Sequence, residues 1–248
     1  FKFIPTHPRV DKRPIATLED SPLISGSTYA LTVSCVEVAH SNFPQFGQGC
    51  EVGVGTWVNV AARTARQDAN RNGGTGYYRP EDLHRDPTYI GKGVRFCWAN
   101  TGRLNAGHYG EIICGVDHVP YSDTSTHFTD LRTGFRYLAS GGMSKESVST
   151  VTINRFAEGD RRFNAHDNIA FQPITGTMYV TEDAKFGEVF ACLPDGRDRD
   201  LKSDGCVSVL SVADPHAEPT GFIFDATGKA AYVLIQHGEQ AMSLLDMT

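Results

Sequence analysis

The residues of this chain that could do chemistry recur at the same place in three segments: Arg79-Pro80-Glu81-Asp82-Leu83, Ala165-His166-Asp167-Asn168-Ile169 and Glu218-Pro219-Thr220-Gly221-Phe222. Each sets charged or amide side chains at the head of an apolar, β-prone run, where strand ends from different parts of the chain can meet. Carboxylates gathered in this way are the donors that hard cations prefer. Acidic groups are in excess, 29 Asp and Glu against 23 Lys and Arg, giving a formal charge of -6. That balance argues against nucleic acid as a main partner, since a phosphate backbone calls for clustered Lys and Arg. His84, His166, His216 and His237, taken singly, read as ordinary core or loop histidines.

The elements that must position these groups are strands. The 25 Gly and 12 Pro fall between short Val/Ile/Tyr/Phe-rich runs, the pattern of many strands joined by turns. Phe1 to Pro5, Thr28 to Val38 and Gly53 to Val60 read as the opening strands, and Asn59 to Asn72 as a short, weakly apolar helix ended by Asn72-Gly73-Gly74. The three chemistry-bearing segments head three similar units. In the first, Val94–Ala99 and Gly110–Cys114 follow; in the second, Thr177–Thr181 and Gly187–Phe190; in the third, Lys229–Ile235. Repeated antiparallel units of this kind make a β-propeller, with the polar strand starts facing its channel; a meandering sandwich is the plainer alternative. The expectation is an all-β fold, one incomplete β-propeller domain over 1–248, with a possible insertion loop at 121–149.

Six cysteines fall as three local pairs, Cys35 with Cys50, Cys97 with Cys114 and Cys192 with Cys206. Each bridge would close a loop of about fifteen residues, on the order of 3 kcal/mol in a loop-entropy account. Free buried thiols and a zinc site are the alternatives, the latter weakened because Cys-x-x-Cys spacing is missing. Disulfides point to an oxidising, extracytoplasmic compartment: periplasmic, secreted or cell-surface. No apolar stretch reaches 18 residues, so no membrane span is expected. The chain opens at Phe1 and reads as the C-terminal portion of a longer polypeptide.

Five segments in order resemble the PhoX-type calcium- and iron-dependent alkaline phosphatases. Gly73-Gly74-Thr75-Gly76-Tyr77-Tyr78-Arg79-Pro80-Glu81-Asp82 is similar to the family's Gly-x-Thr-x-x-x-Arg-Pro-Glu-Asp, and Asp167-Asn168-Ile169-Ala170-Phe171 to its Asp-Asn-Leu-x-Phe. Glu218-Pro219-Thr220-Gly221 with Gln236-His237 resembles its Glu-x-Thr-Gly and Gln-His-Pro. Ser27-Thr28-Tyr29-Ala30 and Gly55-Thr56-Trp57-Val58 resemble its two earlier elements. The resemblance implies a six-bladed propeller that hydrolyses phosphate esters with calcium and iron. It implies Glu81 and Glu218 as metal ligands, with Asp167 and Asn168 as channel-lining candidates. Asp82 and His216 lie in the same segments and are counted with them. Arg79 could grip phosphate bidentately, though pairing with a neighbouring carboxylate comes first.

The chain also departs from the family. His216 stands where an Arg is expected, Gly238 replaces the Pro of Gln-His-Pro, and the family's cysteine ligand and earlier carboxylates have no counterpart. These departures keep a second function open: a non-catalytic extracellular propeller serving as a binding or structural module in a larger assembly. Open strand edges would require the rest of the ring, or another chain, as a partner. A third reading has Trp57, Trp98 and Tyr77 stacking sugars.

Overall fold

The computed structural model describes residues 1–8, 13–33, 52–120, 128–129, 136–137, 150–193 and 205–237. The Cys35–Cys50 pair and most of the 121–149 insertion lie outside them. The chain clusters into two compact units.

Unit 1 holds β1 (Lys2–Pro5), β2 (Gly26–Val33) and β3 (Gly53–Val60), paired antiparallel in the order β1-β2-β3. It also holds the helix α1 (Ala65–Arg71). The helix expected over Asn59 to Asn72 is shorter at its start: Asn59 and Val60 finish β3, and a 3-10 turn at Ala62–Thr64 leads into α1. No residue of α1 is buried, which accounts for its weak apolar pattern. Asp68 holds its first turn by accepting from the Thr64 hydroxyl (2.8 Å) and the Ala61 N–H (3.0 Å). Within β3, Trp57 is buried and its indole N–H donates to Asp117 (3.0 Å), whose Oδ2 also takes Lys2 Nζ at 2.8 Å. A short antiparallel pair belongs here too, joining Phe128–Thr129 to Arg136–Tyr137.

Unit 2 carries β4 (Pro80–Arg85), β5 (Val94–Asn100) and most of β6 (Glu111–Asp117). Counting the short pair as β7 and β8, the remaining strands are β9 (Val151–Glu158), β10 (His166–Phe171), β11 (Met178–Glu182), β12 (Glu188–Cys192), β13 (Cys206–Ser211), β14 (Glu218–Phe224) and β15 (Ala231–Gln236). The segments read as repeated units all become strands: β4 to β6, then β10 to β12, then β14 and β15. Strands β10 to β13 form one four-stranded antiparallel sheet, and β14 pairs with β15.

Alternation explains why β10 to β12 are nearly continuous apolar runs. Ile169, Phe171, Met178, Val180, Phe190 and Cys192 face one side and join Cys97, Ala99, Ile112 and Cys114 in the main core. Ala170 and Val189 face the other side and join Phe222, with Tyr179 stacked on Phe222 at 5.4 Å. Strands β10 to β12 are thus covered on both faces, and a strand buried on both faces must be apolar at consecutive positions. Disulfides join Cys97 to Cys114 and Cys192 to Cys206, the second across directly paired positions of β12 and β13. Both are pairings that the spacing suggested. The sugar-stacking reading fails for the tryptophans. Trp57 and Trp98 are 8% and 6% exposed, and Trp98 packs against Tyr77 (5.0 Å) and Phe96 (5.8 Å).

Replacing Cys192 and Cys206 with Ser removes a link of sequence separation 14. Chemical denaturation of the double variant is expected to show a loss of about 3 kcal/mol of stability. An unchanged midpoint would place the bridge outside the cooperative unit.

Candidate functional site

All the groups described next belong to unit 2. Strands β4, β10 and β14 each break register near their first residues, between Pro80 and Leu83, between His166 and Ile169, and between Thr220 and Phe222. Such a bulge leaves backbone groups without a ladder partner. Here a side chain from the neighbouring strand start takes up the N–H. Asp82 Oδ2 accepts from Ile169 N–H at 3.2 Å, and Asn168 Oδ1 accepts from Gly221 N–H at 2.6 Å. Gly221 has φ +57, so the bulge of β14 occupies the left-handed region that glycine enters freely. The Thr220 hydroxyl lies 2.9 Å from Asn168 Oδ1 and 3.0 Å from Asp167 Oδ2, with one proton to give to either. Asp82 and Asn168, expected to line a channel, therefore also stitch β4 to β10 and β10 to β14.

These stitches bring charges together. Arg79 Nη2 lies 3.2 Å from Asp183 Oδ2 and 3.6 Å from Glu81 Oε1, so the carboxylate-pairing role read first for Arg79 is the one its side chain takes. Glu218 accepts from the Gln236 amide and sits 3.5 Å from His237 Nε2. Burial raises the Glu218 carboxyl above its ordinary value, with a further push from the Asp183 carboxyl within hydrogen-bonding reach. Asp167 is raised too, by burial first and then by the charges of Asp183, Glu81 and Asp82. Asp82 is desolvated but ends below its ordinary value, because His84 and the N–H groups of Ile169 and Leu83 stabilise its charge. His84 is raised in return, chiefly by its bond to Asp82. His216 is exposed in the turn before β14, with its N–H on Asp214 at 2.8 Å.

Sequence reading missed Asp183, which enters from the far end of β11 and not from a strand start. It also missed Glu182. That carboxyl is 4% exposed and accepts from the N–H groups of Asn164 (2.8 Å) and Glu188 (3.3 Å), fixing both approaches to the Asp183 turn. Burial pushes Glu182 up to about 7. Its register partner His166 is fully buried against Phe163 and is lowered by burial to about 3.

The donors fit a hard cation in kind: carboxylate oxygens of Glu81, Asp167 and Glu218, with Asp167 feeling the charge of Glu81 and both Asp167 and Glu218 that of Asp183. Among the described residues no three His, Cys, Asp or Glu side chains already stand together as a ligand shell.

No helix among the described residues is long and apolar enough to cross a membrane, which leaves β-barrel spans unaddressed. No curated protein and no solved structure matches the chain. A family profile does, over residues 1–239, and its description is "Alkaline phosphatase PhoX".

Two outcomes follow from this geometry. Asn168→Ala deletes the acceptor for Gly221 N–H and is expected to cost about 1–3 kcal/mol in urea unfolding, with Asn168→Asp recovering part of the loss. Glu182 is protonated more readily when folded than when unfolded, so its contribution is full below its ordinary value of 4.5 and is lost as pH rises through about 7. His166 acts oppositely, and its contribution is lost as pH falls below 6.5 toward about 3. The melting temperature of Glu182→Gln relative to the parent should therefore climb between pH 5 and pH 8. A parallel pair of profiles would show that Glu182 does not titrate in that window.

Proposed function

Because this chain belongs to the alkaline phosphatase PhoX family, we propose that it hydrolyses phosphate esters with the help of hard metal cations held at the starts of β4, β10 and β14. The observation that carries this reading is the placement of Glu81, Asp167 and Glu218 at three strand starts of one unit, with Arg79 3.6 Å from Glu81, Asp167 raised by burial and then by charges that include Glu81, and Glu218 raised by burial and by Asp183. Glu81 and Glu218 would hold calcium or iron, with Asp167 adjoining them. When bound, such cations supply positive charge opposite the phosphoryl oxygens.

The chain's own residues do the rest. Arg79 offers a planar fork of N–H donors suited to two non-bridging phosphate oxygens. Asp82 and Asn168 hold the three strand starts at fixed spacing, so little reorganisation is needed when substrate arrives. His84, held by Asp82 at 3.2 Å, keeps its ring beside the group, and its raised pKa favours the protonated form. Asn168 and His216 have smaller parts in this reading: Asn168 is structural first, and His216 contributes a polar side chain on the approach to Glu218.

The all-β architecture, with β10 to β12 covered on both faces, supports a propeller, here a portion of a six-bladed ring in a single domain. The two disulfides support an extracytoplasmic setting. Exposed Tyr232 and Leu234 on β15 support a covering partner, either more of the ring or another chain. A second reading, a non-catalytic module that keeps a cation for stability, draws on the dispersed carboxylates and on Gly238 and His216.

Elemental analysis of the native protein, alongside hydrolysis of a chromogenic phosphate ester with and without chelator, separates the two. Calcium with iron and chelator-sensitive turnover are expected, and Glu81→Gln and Glu218→Gln should each lower kcat/KM by at least about a hundredfold. Calcium alone without turnover would favour the module.

A further inference from the structure

We propose that Asp183 is a positioning residue that holds the Arg79 guanidinium for the phosphoryl group, an inference that rests on the phosphatase reading. The two partners of this ion pair are unequal in freedom. Asp183 leaves β11 on a turn fixed from both sides. Its own N–H donates to the Ala165 carbonyl at 2.8 Å, and the preceding Glu182 anchors the N–H groups of Asn164 and Glu188. At the end of the turn, Gly187 lies so close to β14 that an added Cβ would stand 2.5 Å from Pro219 Cδ. Asp183 thus enters with its backbone set relative to both β10 and β14.

Arg79 is the opposite case. Its backbone is held, with its carbonyl accepting from Thr101 N–H at 3.0 Å and φ at +54, a left-handed conformation that an unbranched L residue adopts only at a cost. Its side chain is long and 51% exposed. A free arginine of this kind loses rotamer entropy when it grips an anion. Asp183 occupies one edge of the fork at Nη2 and leaves other N–H donors for two phosphate oxygens. The ordering cost is then met before substrate arrives.

Charge alone would act in the other direction. A carboxylate 3.2 Å from the guanidinium repels a phosphate, so a merely electrostatic Asp183 weakens anion binding. The two roles predict opposite signs on its removal.

The test uses the full chain, with inorganic phosphate as the probe in calorimetry and as a competitive inhibitor of chromogenic ester hydrolysis. Asp183→Ala is expected to weaken phosphate binding and raise KM by about five- to tenfold, with kcat changed less than KM. Asp183→Asn keeps an acceptor for the fork and should restore most of the loss. In an Arg79→Asn background, whose Asn tolerates the left-handed backbone, Asp183→Ala should add nothing. Unchanged or tighter phosphate binding in Asp183→Ala overturns the proposal, as does an equal loss in the Arg79→Asn background. A parent protein that neither binds inorganic phosphate nor hydrolyses the phosphate ester overturns the phosphatase reading itself, and this proposal with it.

Discussion

The charged strand starts of unit 2 depend on side chains that accept backbone N–H groups at strand bulges. Asp82 does this for Ile169 and Asn168 does it for Gly221, so each strand start is tied to the next by an acceptor reaching across. A buried N–H left without a partner costs about 1–3 kcal/mol, which makes the acceptors and bulges mutually dependent. The bulges free the N–H groups, and the acceptors keep the bulges from closing into regular ladder.

This arrangement crowds negative charge. Glu81, Asp82, Asp167, Asp183 and Glu218 come from several strand ends; Asp167 and Glu218 are raised, by burial first and then by neighbouring carboxylates. Arg79, His84 and His237 offset part of it. Crowding of this kind works against folding, and proteins retain it where charge is put to use. The core beneath supplies the compensation: β10 to β12 are apolar toward both neighbouring layers, and disulfides tie β5 to β6 and β12 to β13. Buried His166 and Glu182 sit at the join between core and charged rim, and burial disfavours the charged form of each, lowering His166 to about 3 and pushing Glu182 up to about 7.

Much of this was legible along the chain. The repeated segments became β4 to β6, β10 to β12, and β14 with β15, because alternation and turn residues are local signals that the backbone obeys. The two described cysteine pairs followed from spacing. The helix ran shorter than its Ala-rich stretch suggested, since pairing with β2 claimed Asn59 and Val60. Trp57 and Trp98 are core residues, a matter of which face of a strand is covered. Asp183 escaped notice because it lies at the tail of β11, while the repeat drew attention to strand heads.

By itself the sequence determined the all-β class, the order of the units, the two disulfide pairs among the described residues and the family, since each is written in local pattern or in motifs read in order. Only the tertiary structure decided that Asp82 and Asn168 bind backbone across strands, that Arg79 is shared by Asp183 and Glu81, and that Glu182 is buried. The reason is physical: these contacts join residues far apart in the chain, 87 positions for Asp82 with Ile169 and 104 for Arg79 with Asp183, and bulges set which atoms meet. Local propensity carries no record of either.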